Sequence, residues 1–220
     1  MNRKTLAAGS AAVVVLMCAV GGGVAASLPG DVALPTHWGL DGRPDRFSDK
    51  WTALLMPAAI TAGLSLLFYF LPSLESRREG LERSRGLYLA SWVGILIIGI
   101  AIQLSVISVA YKWPVHGTSF VLGGIGLLFA IIGNQLGKSR SMYLIGIRTP
   151  WTLASEEVWV KTHRLAGKLM VAAGLALLIA AFLPLPSGVV AALMLAVIGA
   201  AVLIPVVYSY VLWRSETRNA

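Results

Sequence analysis

The sequence predicts an all-α integral membrane protein with six transmembrane helices and both termini in the cytoplasm. Hydrophobic residues make up 57% of the 220-residue chain and charged residues only 13%, whereas soluble domains have about a quarter charged residues. The charged residues lie in clusters between long uncharged stretches. This composition excludes an ordinary soluble domain and intrinsic disorder. The single cysteine, Cys18, also excludes an intramolecular disulfide framework.

Four uncharged stretches each reach the length of about 20 residues that a helix needs to cross the bilayer. They run from Thr5 to Pro29, from Trp51 to Leu74, from Gly86 to Tyr111 and from Trp113 to Gly137. A fifth stretch, Leu169 to Trp213, is about twice as long as one span requires. Because Pro184, Pro186 and Gly188 interrupt helix formation near its middle, we expect it to turn there and form the fifth and sixth spans.

The distribution of basic residues sets the predicted orientation. Fourteen of the 18 Lys and Arg residues lie in the two tails and in the second and fourth connections. The positive-inside rule therefore places these segments in the cytoplasm. In the second connection, arginines alternate with glutamates between residues 75 and 85. This pattern suits a short solvated helix near anionic lipid headgroups better than a nucleic-acid surface, so we expect no direct nucleic-acid partner.

The first span has an alternative interpretation. Residues 1–27 begin with basic residues, continue with an apolar stretch and end in small residues, as a cleavable signal peptide does. The uncharged stretch is longer than the roughly 7 to 15 residues of a signal core. We therefore expect an uncleaved first helix.

The predicted spans contain no Asp, Glu, Lys or Arg, which disfavours a proton-coupled pump. Gln103 and Asn134 are the notable amides within them. They predict hydrogen bonds between helices; a polar pathway through both is the alternative that a transporter would need. Several glycines predict close helix contacts: Gly94, Gly99, Gly123, Gly124 and Gly126.

The external connection, from Gly30 to Lys50, is predicted to be an ordered, turn-rich loop. Asp45 is expected to pair locally with Arg43 or Arg46. The functional hypothesis is a recognition surface for a peptide or a cell-envelope molecule, formed by His37, Trp38, Asp45 and Arg46. The alternative is a loop that only caps the helix bundle.

The internal connection, from Lys138 to Lys168, combines a strand-like or re-entrant piece, MYLIGIRTPWTL, with the start of a helix. Ser155 is a suitable N-cap, and this helix is expected to continue into span five. We predict a surface for a cytoplasmic protein here, with Glu156, Trp159 and His163 on one helix face. Its residues are Arg148, Thr149, Pro150, Trp151, Glu156, Trp159 and His163.

The sequence predicts neither a metal site nor a catalytic site. His163 has no HExxH motif or cysteine pair around it. A metal site at His163 is therefore kept only as an alternative to the protein-binding surface. Nucleophile-elbow and phosphate-loop motifs are also missing. We expect no cofactor and no enzymatic activity.

Two blocks of sequence resemble the SdpI family of membrane immunity proteins. The first is LPTHW at residues 34–38, followed by Gly42, Pro44, Asp45, Arg46 and Lys50, which is similar to a domain of unknown function common in the family. The second comprises Gly133, Asn134, the segment GIRTPWTL at 146–153, Trp159, Lys161, Thr162, His163 and Gly167. At Gly137 and Met142 the chain departs from the proline and asparagine that members commonly have.

The resemblance implies protection against a sporulation-delay peptide toxin and retention of a cytoplasmic repressor protein at the membrane. It also implies a location in the bacterial inner membrane. The expected organisation is a two-helix module with the external loop (1–74), a cytoplasmic linker (75–85) and a four-helix module with the internal loop (86–220). The rival hypothesis is a transporter of small molecules or lipids.

Overall fold

The computed structural model describes residues 3–39 and 42–219. Within these residues, six helices are long and apolar enough to cross a membrane. They are α1 (Arg3–Ser27), α2 (Lys50–Leu74), α4 (Arg85–Ala110), α5 (Gly117–Leu136), α7 (Glu156–Ala181) and α8 (Ser187–Asn219), with two short helices, α3 (Arg78–Arg83) and α6 (Pro150–Ala154), between them. The six predicted spans are confirmed, and the protein is a multi-pass membrane protein.

The external connection is a β-hairpin rather than an irregular loop. Strands β1 (Ala33–Trp38) and β2 (Pro44–Asp49) pair antiparallel, with shifts of register on both sides of His37. Most side chains of β2 are exposed, so the strand lacks the apolar alternation that marks a half-buried strand in a sequence. This explains why the sequence indicated only a turn-rich loop.

Successive spanning helices alternate in direction, so the connections lie at two ends of the bundle. We call the end with the hairpin the hairpin face; the connections 111–116 and 182–186 also lie there. We call the opposite end the loop face. It carries α3 and residues 138–155, which we call the loop segment. Contacts at each end agree with this arrangement: Arg3 donates to the Tyr69 carbonyl oxygen, and the Ser27 and Tyr111 hydroxyls lie 2.9 Å apart.

The helices pack in a chain of neighbours: α1 on α2, α2 on α4, α4 on α5, α5 on α7, and α7 on α8. Two glycine pairs bring α5 and α7 together. A Cβ atom added at Gly133 would lie 2.8 Å from the Gly167 carbonyl oxygen, and one added at Gly174 would lie 2.6 Å from the Gly126 carbonyl oxygen. These backbones approach as closely as small residues allow in membrane helices.

The two amides singled out in the spans have different environments. Gln103 is buried, and its Nε2 donates to the carbonyl oxygens of Met17 on α1 and Leu54 on α2. This confirms the predicted role in joining helices. Asn134 is exposed on α5 instead of buried. Gln103 therefore joins α4 to α1 and α2, whereas Asn134 lines a cavity between α4, α5 and α7.

Candidate functional site

The hairpin brings two of its predicted recognition residues into a hydrogen bond. Nδ1 of His37 lies 2.6 Å from Oδ1 of Asp45, and both side chains are more than half exposed. The sequence predicted a partner for Asp45 among the arginines and missed the histidine across the strand pair. Arg46, which lies opposite His37 in the register, is also exposed. The hairpin therefore presents a charged, accessible surface.

The other side of the hairpin holds it against the helices. Trp38 is partly buried against a core that contains Leu34 and Leu54. Lys50 is buried, and its ammonium group donates to the Leu28 carbonyl oxygen at 2.5 Å, just beyond the end of α1. A cation at this position offsets the negative end of the helix dipole.

Asp49 joins the hairpin to α2. Its carboxylate caps the helix by accepting the backbone N–H groups of Trp51 and Thr52, each at 3.0 Å. Hydrogen bonds from Thr52, first from its side chain and then from its backbone, hold the pKa of Asp49 below the ordinary value of a carboxyl group. Because the folded-state pKa is lowered, the cap is intact at neutral pH and is lost as the pH falls through that pKa.

At the other end of α2, Glu75 is tied to the loop segment. Its side chain is 2% exposed. One carboxylate oxygen accepts the backbone N–H of Arg77 at 2.8 Å, and the other accepts the N–H groups of Tyr143 and Leu144, each at 3.0 Å. The loop segment has no helix or strand at these two positions, so the carboxylate supplies the acceptors that regular structure would otherwise provide.

Arg77, just beyond the end of α2, also forms hydrogen bonds with the loop segment. Its guanidinium donates to the Ser141 hydroxyl, to the Tyr143 hydroxyl at 3.0 Å and to the Leu153 carbonyl oxygen at 3.2 Å. It also lies 4.4 Å from the centre of the Tyr143 ring. The charge pattern had indicated a solvated linker here, and neither Glu75 nor Arg77 was predicted as part of the site.

His163 and Trp159 support the loop segment from inside the bundle. Both side chains are fully buried, and their rings stack at 4.0 Å. Nδ1 of His163 donates to the Trp159 carbonyl oxygen at 2.8 Å, while Nε2 accepts the Ile147 N–H at 2.9 Å. This pattern fixes the neutral tautomer with the proton on Nδ1. The prediction that these two residues lie on an exposed protein-binding surface is therefore wrong.

Gly146 is required at its position for two reasons. Its φ angle is +118°, which residues with a side chain rarely adopt. An added Cβ atom would also lie 2.7 Å from Nε2 of His163. The backbone can reach the imidazole only because no side chain intervenes.

The rest of the predicted motif connects the loop segment to α8. Pro150 begins α6, and Thr149 caps it in a reciprocal arrangement with Thr152. The Thr149 hydroxyl also lies 3.2 Å from that of Ser209. Trp151 packs on α8 with ring centroids 5.1 Å from Tyr210 and 6.5 Å from Trp213. The piece expected to be strand-like or re-entrant is thus an irregular segment followed by one short helix.

The exposed residues of the loop segment carry its accessible charges. The guanidinium of Arg148 donates to the Tyr143 carbonyl oxygen at 2.7 Å, and the side chain is exposed. Glu156 accepts the Ser141 N–H at 3.2 Å and lies 3.8 Å from Nε of Arg140. Ser155 caps α7 as predicted by accepting the Val158 N–H. Among the described residues, no three His, Cys, Asp or Glu side chains form a group that could hold a metal ion.

The family of the loop segment follows from its sequence. Residues 138–209, which comprise the loop segment with its helix α6, then α7 and most of α8, match the SdpI/YfhL protein family. This region is similar to members of that family. Residues 12–61, from α1 through the hairpin into α2, match a domain of unknown function, DUF1648. Both matches confirm the resemblance inferred from the two sequence blocks.

A named relative matches a longer part of the chain. The chain is 26% identical over 149 residues to "Immunity protein SdpI" of Bacillus subtilis (strain 168), which covers 68% of this chain and 69% of the relative. No solved structure matches the chain significantly. The membrane immunity family is therefore supported both by the SdpI region and by a curated relative.

Proposed function

We propose that the protein protects a bacterium against a secreted peptide toxin from its place in the inner membrane, and that it binds a cytoplasmic repressor when the toxin is present. It acts by binding and not by catalysis. The relationship to an SdpI immunity protein supports the first role. The second role rests on the arrangement of the two faces.

The position of α2 is the main support for the proposed coupling between the two faces. This helix begins at Asp49, at the end of the hairpin, and ends beside Glu75, which holds the loop segment. A toxin peptide that shifts the hairpin would move the start of α2. Glu75, at the other end of this helix, would move with it and change its hydrogen bonds to the Tyr143 and Leu144 N–H groups. Such coupling requires that the ligand favours one of two states of the bundle.

In this proposal the hairpin lies outside and the loop segment inside. His37, Trp38, Asp45 and Arg46 contact the peptide. On the inner side, Arg148, Pro150 and Glu156 are exposed and meet the repressor, while Thr149, Trp151, Trp159 and His163 maintain the shape of that surface.

The test is a challenge of a toxin-sensitive host that expresses the protein and a repressor-controlled reporter. Wild-type protein is expected to allow growth in the sporulation-delay toxin and to induce the reporter. Asp45→Ala is expected to lose both responses because the toxin is no longer recognised. Arg148→Ala is expected to keep protection and lose induction.

Glu82→Gln is the matched control, since this carboxylate is exposed on the linker helix; it should behave as wild type. Membrane-inserted wild-type protein that gives no protection would refute the immunity role. Equal loss of both responses in Arg148→Ala would refute the division between the two faces.

A further inference from the structure

Two cavities near the loop face differ in chemistry. One, of about 600 Å³, is lined by Arg77, Arg78, Arg83 and Arg140 together with Glu79 and Glu156. The other, of about 570 Å³, is lined mainly by apolar groups of α4, α5 and α7, including Leu89, Val93, Ala130 and Val171. We call them the arginine pocket and the apolar groove.

One hydrogen bond lies between residues that line the two cavities. The Ser84 hydroxyl accepts the Arg140 N–H at 2.7 Å. Arg83 and Arg140 line the arginine pocket on one side of this contact. On the other side, Gly86 and Gln135 line the apolar groove. One elongated molecule can therefore lie across the contact with its two ends in different environments.

The arginine pocket carries an excess of positive charge. Its four guanidinium groups face two carboxylates, of which Glu79 pairs with Arg83 at 2.6 Å and Glu156 lies 3.8 Å from Arg140. Arg77 is held by the loop segment, whereas Arg78 is exposed. A phosphate group complements this arrangement, because guanidinium groups bind its oxygens with paired hydrogen bonds.

We propose that the two cavities form one site for an anionic phospholipid, with the phosphate headgroup in the arginine pocket and an acyl chain in the apolar groove. The pocket lies at the ends of spanning helices, where headgroups reside, and basic pockets between such helices suit anionic headgroups. Free phosphate would leave the apolar groove unused. The site is independent of the proposed immunity role.

The experiment measures lipid retention by full-length protein purified in detergent, using native mass spectrometry with added phosphatidylglycerol or phosphatidylcholine. Wild-type protein is expected to retain phosphatidylglycerol in preference. Arg78→Gln with Arg83→Gln should reduce that preference by about a factor of five for each charge removed. Ala130→Leu, which fills the groove, should weaken retention of both lipids and leave the ratio between them unchanged.

Lys112→Gln is the control, because it removes an exposed cation at the hairpin face, the opposite end of the bundle; its lipid preference should match wild type. The Arg78→Lys, Arg83→Lys double variant keeps the charge and should keep the preference. Its result shows whether the glutamine variant loses the preference through loss of charge or through loss of folding. Equal retention of the two lipids by wild type, or an unchanged preference in the glutamine variant, would overturn the proposal. Displacement of phosphatidylglycerol by inorganic phosphate alone would assign the pocket to free phosphate and also overturn it.

Discussion

At the scale of single residues, the loop segment depends on side chains that belong to other parts of the chain. Glu75 accepts two of its N–H groups, His163 accepts a third, and Ser84 accepts a fourth from Arg140. A buried N–H without an acceptor costs about 1 to 3 kcal/mol. Each of these side chains therefore selects one conformation of a segment that has little regular structure of its own.

Glu75→Gln is expected to loosen the loop segment. The amide replaces one acceptor oxygen by an NH₂ group, which faces N–H donors of the backbone, and the charge-assisted bonds are lost. Hydrogen bonds to a charged group contribute about 1.5 to 3 kcal/mol each, so we expect destabilisation of about 2 kcal/mol or more. Trypsin cleavage after Arg140 and Arg148, measured in open membrane vesicles, should become faster.

Glu82→Gln is the control for this variant, since it removes a carboxylate from the adjacent helix α3 where the side chain is exposed. Its cleavage rate should equal that of wild type. Unchanged cleavage in Glu75→Gln would mean that the carboxylate does not hold the loop segment.

Single residues also differ in how much of their role the sequence predicts. The alternating charges of residues 75–85 correctly predict a short helix, in which Glu79 pairs with Arg83 one turn later. Glu75 belongs to the same pattern, but its acceptor role depends on residues 143 and 144. Likewise, the spacing of Trp159 and His163 predicts a shared helix face without indicating that the loop segment covers it.

At the scale of elements, the six spans could be predicted because an uncharged stretch of sufficient length has few alternatives in a chain of this composition. The hairpin could not be predicted, since its strands are short and irregular in register. The glycines singled out by sequence included Gly126 of the α5–α7 contact, while its partner Gly174 became evident only when the two helices were placed together.

Gly133→Ala is expected to disturb the α5–α7 contact. The new Cβ atom would lie 2.8 Å from the Gly167 carbonyl oxygen and 2.9 Å from the backbone nitrogen of Val171. Neither backbone atom can move without shifting α7. Overpacking of this kind costs about 1 to 3 kcal/mol, so the variant should unfold at a lower temperature than wild type when followed by circular dichroism in detergent.

Gly63→Ala on α2 is the matched control, because a Cβ atom there has no neighbour within 4 Å. Alanine is the better helix former, and this variant should be at least as stable as wild type. A Gly133→Ala protein with the stability of Gly63→Ala would show that α5 and α7 have room to separate.

At the scale of the whole molecule, the proposed function requires that the hairpin face and the loop face lie on opposite sides of the membrane. An odd number of crossings separates the hairpin from the loop segment: α2, α4 and α5. The basic residues are concentrated at the loop face, which favours its position in the cytoplasm. Loss of α1 by cleavage would leave this relationship between the two connections unchanged.

We therefore expect opposite accessibility of two single cysteines introduced into a Cys18→Ser background. Phe47→Cys reports on an exposed position of β2, and Lys138→Cys on an exposed position of the loop segment. In intact cells, a membrane-impermeant maleimide should label the first variant and not the second, whereas permeabilised cells should show labelling of both. Labelling of both in intact cells, or of Lys138→Cys alone, would contradict the topology on which a toxin-binding hairpin and a repressor-binding loop segment depend.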